Sequence, residues 1–299
     1  METGDTFPSM GRTVFTVMIH PRLLFWGLRC ILVILRKFFF FQYRAALFPR
    51  LPVSRAEHFL DDLIPFNPGF ISIYLDFIAF WSRIVGFFCV RYGKQGRIVA
   101  ADFIKSITGL YSFAFEIYRE NLSTTARPKY TKTLRFRLIH LSDPHLMCIP
   151  SLHVMIVIHS YTAFRFHLCG IENEKTRFPL KLESLTEKLF QGARVITEAV
   201  LYVKQHSINC VAASLYALTR YEPELFDTKD AETFVYSLFG TGPIPPEYAR
   251  FYSGKMVHPE DIAWLREHIM SLYRSFAEAH SADWKTPLLE YLASLPCKK

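Results

Sequence analysis

Two histidines, each at the edge of an expected helix, carry the strongest chemical signal in this 299-residue chain. His153 lies in Cys148-Ile-Pro-Ser-Leu-His-Val154, at the start of an uncharged apolar helix. His206 lies in Val203-Lys-Gln-His-Ser-Ile-Asn-Cys210, where two expected helices meet. Upstream, Arg127-Pro128 opens a basic loop that runs through Lys129, Lys132, Arg135 and Arg137 to Asp143. If the helices run up and down, all three segments fall at one end of a bundle. Two imidazoles, a guanidinium and a helix N-terminus at one place suit phosphate ester chemistry. One imidazole attacks phosphorus and holds the phosphoryl group, while the other, protonated, delivers a proton to the leaving oxygen. Arg127 offers a bidentate fork, and the N–H groups around Ser151 and Leu152 offer an anion site. Plainer roles compete: Ser151 is also a good N-cap, and His159 and His167 read as core or interface residues.

Composition limits what such a site can belong to. The chain is 51% hydrophobic and 21% charged, with 28 Phe and 15 Tyr, which excludes disorder, collagen and coiled coil. A net charge of +8 combined with a mean hydropathy of +0.14 points to a membrane or to anionic, lipid-like ligands, with no nucleic-acid partner expected. Cysteines at 30, 89, 148, 169, 210 and 297 form no CxxC pair, so neither a disulfide framework nor a zinc ribbon is expected. Glu2 and Asp5, with no small-residue cleavage site after the first apolar stretch, argue against a cleaved signal peptide.

Hydrophobic patterning predicts six helices, near 21–41, 66–90, 99–119, 151–168, 184–203 and 206–220, and no sustained strand. Only Pro144 to Phe164 is uncharged over a bilayer-spanning length. In the third helix Asp102, Lys105, Glu116 and Glu120 share one side, and Ile104, Ile107, Tyr111, Ala114, Phe115 and Tyr118 cover the other. That stripe fits a membrane helix turning its charges into a bundle, or an ordinary amphipathic helix turning them out. Charge also divides the chain: residues 1–221 hold 27 Lys and Arg against 15 Asp and Glu, and residues 222–299 hold 8 against 12. The expected parts are an N-terminal segment with a first membrane helix (1–59), a core (60–221) and an acidic helical appendage (222–299). In the last, Pro259 starts a helix whose Ile262, Leu265, Ile269, Leu272 and Phe276 repeat at 3,4,3,4, for packing on the body or on a protein partner.

Pro150-Ser151-Leu152-His153 and Lys204-Gln205-His206, preceded by Arg127-Pro128, resemble the three signature segments of the type 2 phosphatidic acid phosphatase superfamily, in particular its sphingomyelin-synthase-like membrane branch. Asp61-Asp62-Leu-Ile-Pro-Phe-Asn-Pro68 resembles the opening of bacterial members of that branch. The resemblance covers roughly residues 60 to 220. It implies an all-α, six-helix membrane bundle with His206 as nucleophile, His153 as general acid, and Arg127, Ser151 and Lys204 around the phosphate. No metal or cofactor is implied. The expected substrate is a phospholipid or lipid phosphate, and the expected location is the cell membrane.

The sequence departs from that pattern at three places. Glu120 stands where many relatives carry a lysine, and Val200 where they carry an arginine, for which Lys204 substitutes only in charge. Cys210 stands where relatives place the aspartate that orients the nucleophilic histidine. A thiol is a poor acceptor, leaving Asn209 at the neighbouring position, or Asp62 or Asp143 from loops, as candidate replacements. Cys148, His153, His206 and Cys210 also permit a zinc reading, which the phosphatase-like neighbours and a membrane location argue against. Three functions follow as expectations: a membrane lipid phosphate phosphatase or head-group phosphotransferase using a phosphohistidine, an inactive relative that binds phospholipid or a partner, or a soluble helical phosphatase of the same superfamily. With the N-terminus and tail cytoplasmic, the basic stretches 36–55 and 127–137 fall outside, against the positive-inside tendency.

Overall fold

Among the described residues, the regular structure is helical apart from one pair of three-residue strands, as the patterning predicts. A computed structural model describes residues 7–174, 182–279, 281 and 283–297; Glu2 and Asp5, on which the signal-peptide argument rests, lie outside them. The helices are α1 (Met10–Ile19), α2 (Pro21–Val33), α3 (Phe41–Leu47), α4 (Ile71–Leu75), α5 (Phe77–Tyr118), α6 (Leu134–Ser142) and α7 (Leu152–Glu174). They continue with α8 (Leu182–Tyr202), α9 (Ile208–Tyr221), α10 (Thr228–Ser237), α11 (Pro246–Ala249), α12 (Pro259–Ala277) and α13 (Thr286–Ser294). Proline at the first position, with its fixed φ and no N–H to lose, starts both α2 and α12.

The expected first helix is broken more finely than its pattern suggests. α1 precedes it, and a wide-turn π-helical segment, Ile34–Phe40, joins α2 to α3. The second and third expected helices join in α5, whose path bends sharply at Gly93. There φ is +54°, a conformation that L side chains resist. At Gly86 a Cβ would lie 2.2 Å from the Thr13 hydroxyl, so the missing side chain lets α1 lie directly on α5.

α7 sits in the middle, packed against α5, α8 and α9, with Val154 through Ile158 fully buried. A helix apolar all round belongs in such a core. The charges on the second half of α5 and just past its end point outward: Asp102 pairs with Arg22, Glu116 with Arg119 and, beyond the helix, Glu120 with Lys285. Ile104, Ile107, Tyr111, Ala114 and Tyr118 fill the interior. This corrects the charges-inward reading, because the apolar face is the one that meets α7. Among the described residues, two helical stretches, Pro68–Tyr118 and Leu152–Ile171, are long and apolar enough to cross a membrane. The uncharged stretch from Pro144 becomes helical only at Leu152.

No sustained alternation of apolar and polar residues marks the strands in advance. β1 (Val53–Arg55) pairs in parallel with β2 (Leu122–Thr124), with Ser54 opposite Ser123. Bridges from Ser123 to Met147 and from Ser54 to Cys297 extend it on both sides. The tail packs on the body, since Leu265, Ile269, Met270, Tyr273 and Phe276 of α12 are buried in a helix that lies along α9.

Candidate active site

The small sheet places the first histidine. Cys148 N–H donates to the Ser123 carbonyl at 3.2 Å, and Ile149 N–H to the Ser123 hydroxyl at 2.7 Å, anchoring the extended chain just before α7. Two residues into that helix, His153 stacks on Tyr74 with ring centroids 4.6 Å apart and meets the edge of Phe77 at 4.4 Å. The second histidine is placed by a reversal between α8 and α9. Lys204 adopts φ +55°, which costs a non-glycine residue about 1–2 kcal/mol. Gln205 N–H then donates to the Val200 carbonyl at 3.0 Å, and Ser207 caps α9 through a bond from Asn209 N–H. The outcome brings Nε2 of His206 to 3.3 Å from Nδ1 of His153.

The histidine pair is therefore assembled as the sequence suggests. Burial, with His153 and Arg127 nearby, holds His206 well below the usual imidazole range, so the ring is neutral and nucleophilic at neutral pH. Its Nδ1 is buried without a well-formed hydrogen bond, although the Cys148 carbonyl acts favourably on the protonated ring.

Around the pair, most expected helpers are engaged elsewhere. Arg127 directs its guanidinium at Asp143, donating to a carboxylate oxygen at 2.5 Å and to the backbone carbonyl at 3.0 Å. Its Nε is buried with no partner. Asp143 thus holds Arg127 and the N–H of His145 and does not orient His206. Ser151 caps α7 weakly, with Val154 N–H 3.4 Å from its hydroxyl. The N–H of Ser151 donates to the Ser214 hydroxyl at 2.7 Å, so that donor is engaged within the fold. Lys204 donates to the Asp61 carbonyl and is tied to that loop.

Neither candidate for orienting His206 reaches it. Asn209 donates to the Ala56 carbonyl at 3.1 Å, and its amide oxygen lies 2.8 Å from His268 Nε2. Cys210 is fully buried and makes no hydrogen bond to His206. Asp61, not Asp62, is the anchored carboxylate of its pair, accepting from Ile208 N–H at 2.9 Å and His58 N–H at 2.8 Å. Burial raises the Asp61 pKa against the opposing pull of those bonds and Lys204. Among the described residues, no three His, Cys, Asp or Glu side chains are grouped to hold a metal ion. His159 is a core residue, with Nε2 2.9 Å from the Ser106 hydroxyl.

The sequence reading missed His145. It is buried at φ +60°, lies 2.7 Å from the Thr125 hydroxyl and has its ring centroid 6.3 Å from that of His206. Its position in Asp143-Pro-His145, just ahead of the uncharged helix, was the available signal. No family model, curated protein or solved structure matches this chain.

Proposed function

We propose that this chain is an integral membrane enzyme of phosphate ester chemistry, a lipid phosphate phosphatase or head-group phosphotransferase with the type 2 phosphatidic acid phosphatase fold. The observation that carries this reading is the facing pair His153 and His206 at one end of a buried bundle. The incoming phosphoryl group displaces the 3.3 Å contact between the rings. The anionic phosphoryl group beside it favours the protonated form of His153; neutral His206 gives its Nε2 lone pair to phosphorus, the P–O ester bond breaks, and His153 hands its proton to the leaving oxygen. Water, or the hydroxyl of a second lipid, then takes the phosphoryl group from His206, with His153 accepting the proton. Arg127 supplies positive charge once the phosphate competes with Asp143 for its fork. The two long apolar stretches support the membrane assignment.

A second reading, an inactive relative that keeps the pocket to bind phospholipid, is favoured by one observation. Asp143 already neutralises Arg127, and no carboxylate holds His206. Phosphate release and head-group transfer from a lipid phosphate, measured on membranes holding the wild type, His206→Ala or His153→Ala, separate the two. The enzyme reading expects His206→Ala to abolish turnover and any acid-labile phosphoenzyme. It expects His153→Ala to slow substrates with poor leaving groups most. Turnover that survives His206→Ala overturns it.

A further inference from the structure

Between Asp5 and Glu57 the chain holds no acidic residue and eight basic ones, Arg12, Arg22, Arg29, Arg36, Lys37, Arg44, Arg50 and Arg55. Four of these fall on one groove. α2, the π-helical segment and α3 run on from one another, and Arg29, Arg36, Lys37 and Arg44 recur along one side at spacings of seven or eight. With Phe25, Leu28, Leu32, Phe40 and, from α5, Phe115, they line a groove of about 770 Å³ that contains no carboxylate.

Both kinds of side chain are available to a ligand. Phe25, Leu28, Leu32 and Phe40 are each more than half exposed, a density of bare apolar surface that water does not favour. Among the described residues none of the four cations is paired with an acid. Arg29 lies over Trp26 at 5.3 Å and Lys37 over Phe115 at 5.4 Å, contacts that steady the cations without neutralising them. Tyr43 on α3 donates to the Leu141 carbonyl of α6. This adds Leu134, Leu138 and Leu141, all exposed, beside Arg135 and Arg137.

We infer that this groove binds an anionic phospholipid of the bilayer, its phosphate among Arg36, Lys37 and Arg44 and its acyl chains along Phe25, Leu28, Leu32 and Phe40. Charge complementarity selects the ligand: the groove is uniformly positive, and its cations alternate with apolar side chains as a headgroup alternates with its chains. An acidic protein would leave the phenylalanines and leucines without partners, and a free phosphate would ignore them. The groove shares no residue with the histidine pair, so the inference stands apart from the enzymatic reading.

The test uses the full chain in neutral detergent, titrated with dioctanoyl phosphatidylglycerol, dioctanoyl phosphatidylcholine and glycerol 3-phosphate, with bound lipid counted by native mass spectrometry. Phosphatidylglycerol should bind at least tenfold more tightly than phosphatidylcholine. At about fivefold per cation, Arg36→Gln/Lys37→Gln/Arg44→Gln should lose about 100-fold. Lys188→Gln/Lys229→Gln, which changes two exposed cations away from the groove, should bind as the wild type does. Circular dichroism melts check that the triple variant is folded; if it is not, Arg36→Gln alone should lose about fivefold. Equal binding of the two lipids, a loss below twofold in every folded groove variant, displacement by glycerol 3-phosphate, or a dimer that blocks the titration would each overturn the inference.

Discussion

Replacing Cys210 with aspartate tests the candidate site at its weakest point. Ser207 caps α9, so Cys210 is the third residue of the helix, a position from which a side chain reaches back toward the cap and the residue before it, His206. Nδ1 of that histidine is buried and poorly satisfied. Supplying its acceptor recovers about 1–3 kcal/mol, the usual cost of an unmatched buried polar group. A carboxylate in the first helical turn gains about 0.3–1 kcal/mol more from the helix N-terminus. Against this stand the complete burial of position 210 and the like charge of nearby Asp61. The two effects are of similar size, so the variant should fold with a melting temperature within a few degrees of the wild type. The rate should change more, because the carboxylate fixes the tautomer of His206 and stabilises its positive form as the phosphoryl group is held. Turnover of a short-chain phosphatidic acid in mixed micelles should rise about tenfold, equivalent to about 1.4 kcal/mol of barrier. A folded variant whose turnover stays within about twofold of the wild type would refute a catalytic contact between positions 206 and 210. Absence of turnover in both proteins would refute the enzymatic reading itself.

Further outcomes follow from other parts of the structure. The protein should stay with membranes through alkaline carbonate and need detergent for release; recovery in the soluble fraction would refute membrane integration. Glu198→Ala strips Arg194, Phe239 N–H and Tyr252 of their shared carboxylate deep in the core. Leaving a buried guanidinium unpaired costs about 3–5 kcal/mol, or roughly 10 °C in melting temperature, and a loss under about 3 °C would contradict this account. Burial and the stacked ring of His58 lower the pKa of His268 to about 4. The unfolded chain therefore takes up this proton near pH 6.5, before the folded chain does. Stability from the neutral ring is complete above that pH and is lost as pH falls toward 4. Melting temperatures at pH 7.5 and 4.5 should differ less in His268→Gln than in the wild type, and equal differences would count against the titration.

The histidine pair was legible because its signals are local: helix edges, short motifs and order along the chain. Its surroundings were not, because their partners are chosen by distant segments. Nothing near Asn209 announces that Ala56 will take its amide, and nothing near Lys204 announces the Asp61 carbonyl. Arg127 offered its fork to any anion, and only the folded loop decides that Asp143 reaches it first. The charge stripe on α5 had one angular pattern and two physical readings, which packing against α7 resolved. Strands of three residues are too short for alternation to register, and the bend at Gly93 rested on a single residue.

That small sheet makes one end of the molecule depend on residues far along the chain, Leu292 and Cys297. The segment that delivers His153 hangs on Ser123, whose strand lies beside Ser54. Ser54 in turn donates to the Leu292 carbonyl, 238 residues along the chain, and bridges to Cys297. During synthesis the two histidines can meet long before this clasp exists. Contacts between such distant segments are slow to form. The floor beneath the site is thus fastened only after the histidines can have met. Loss of the segment from Leu292 to Cys297 would remove support directly under His153 while keeping every residue of the site.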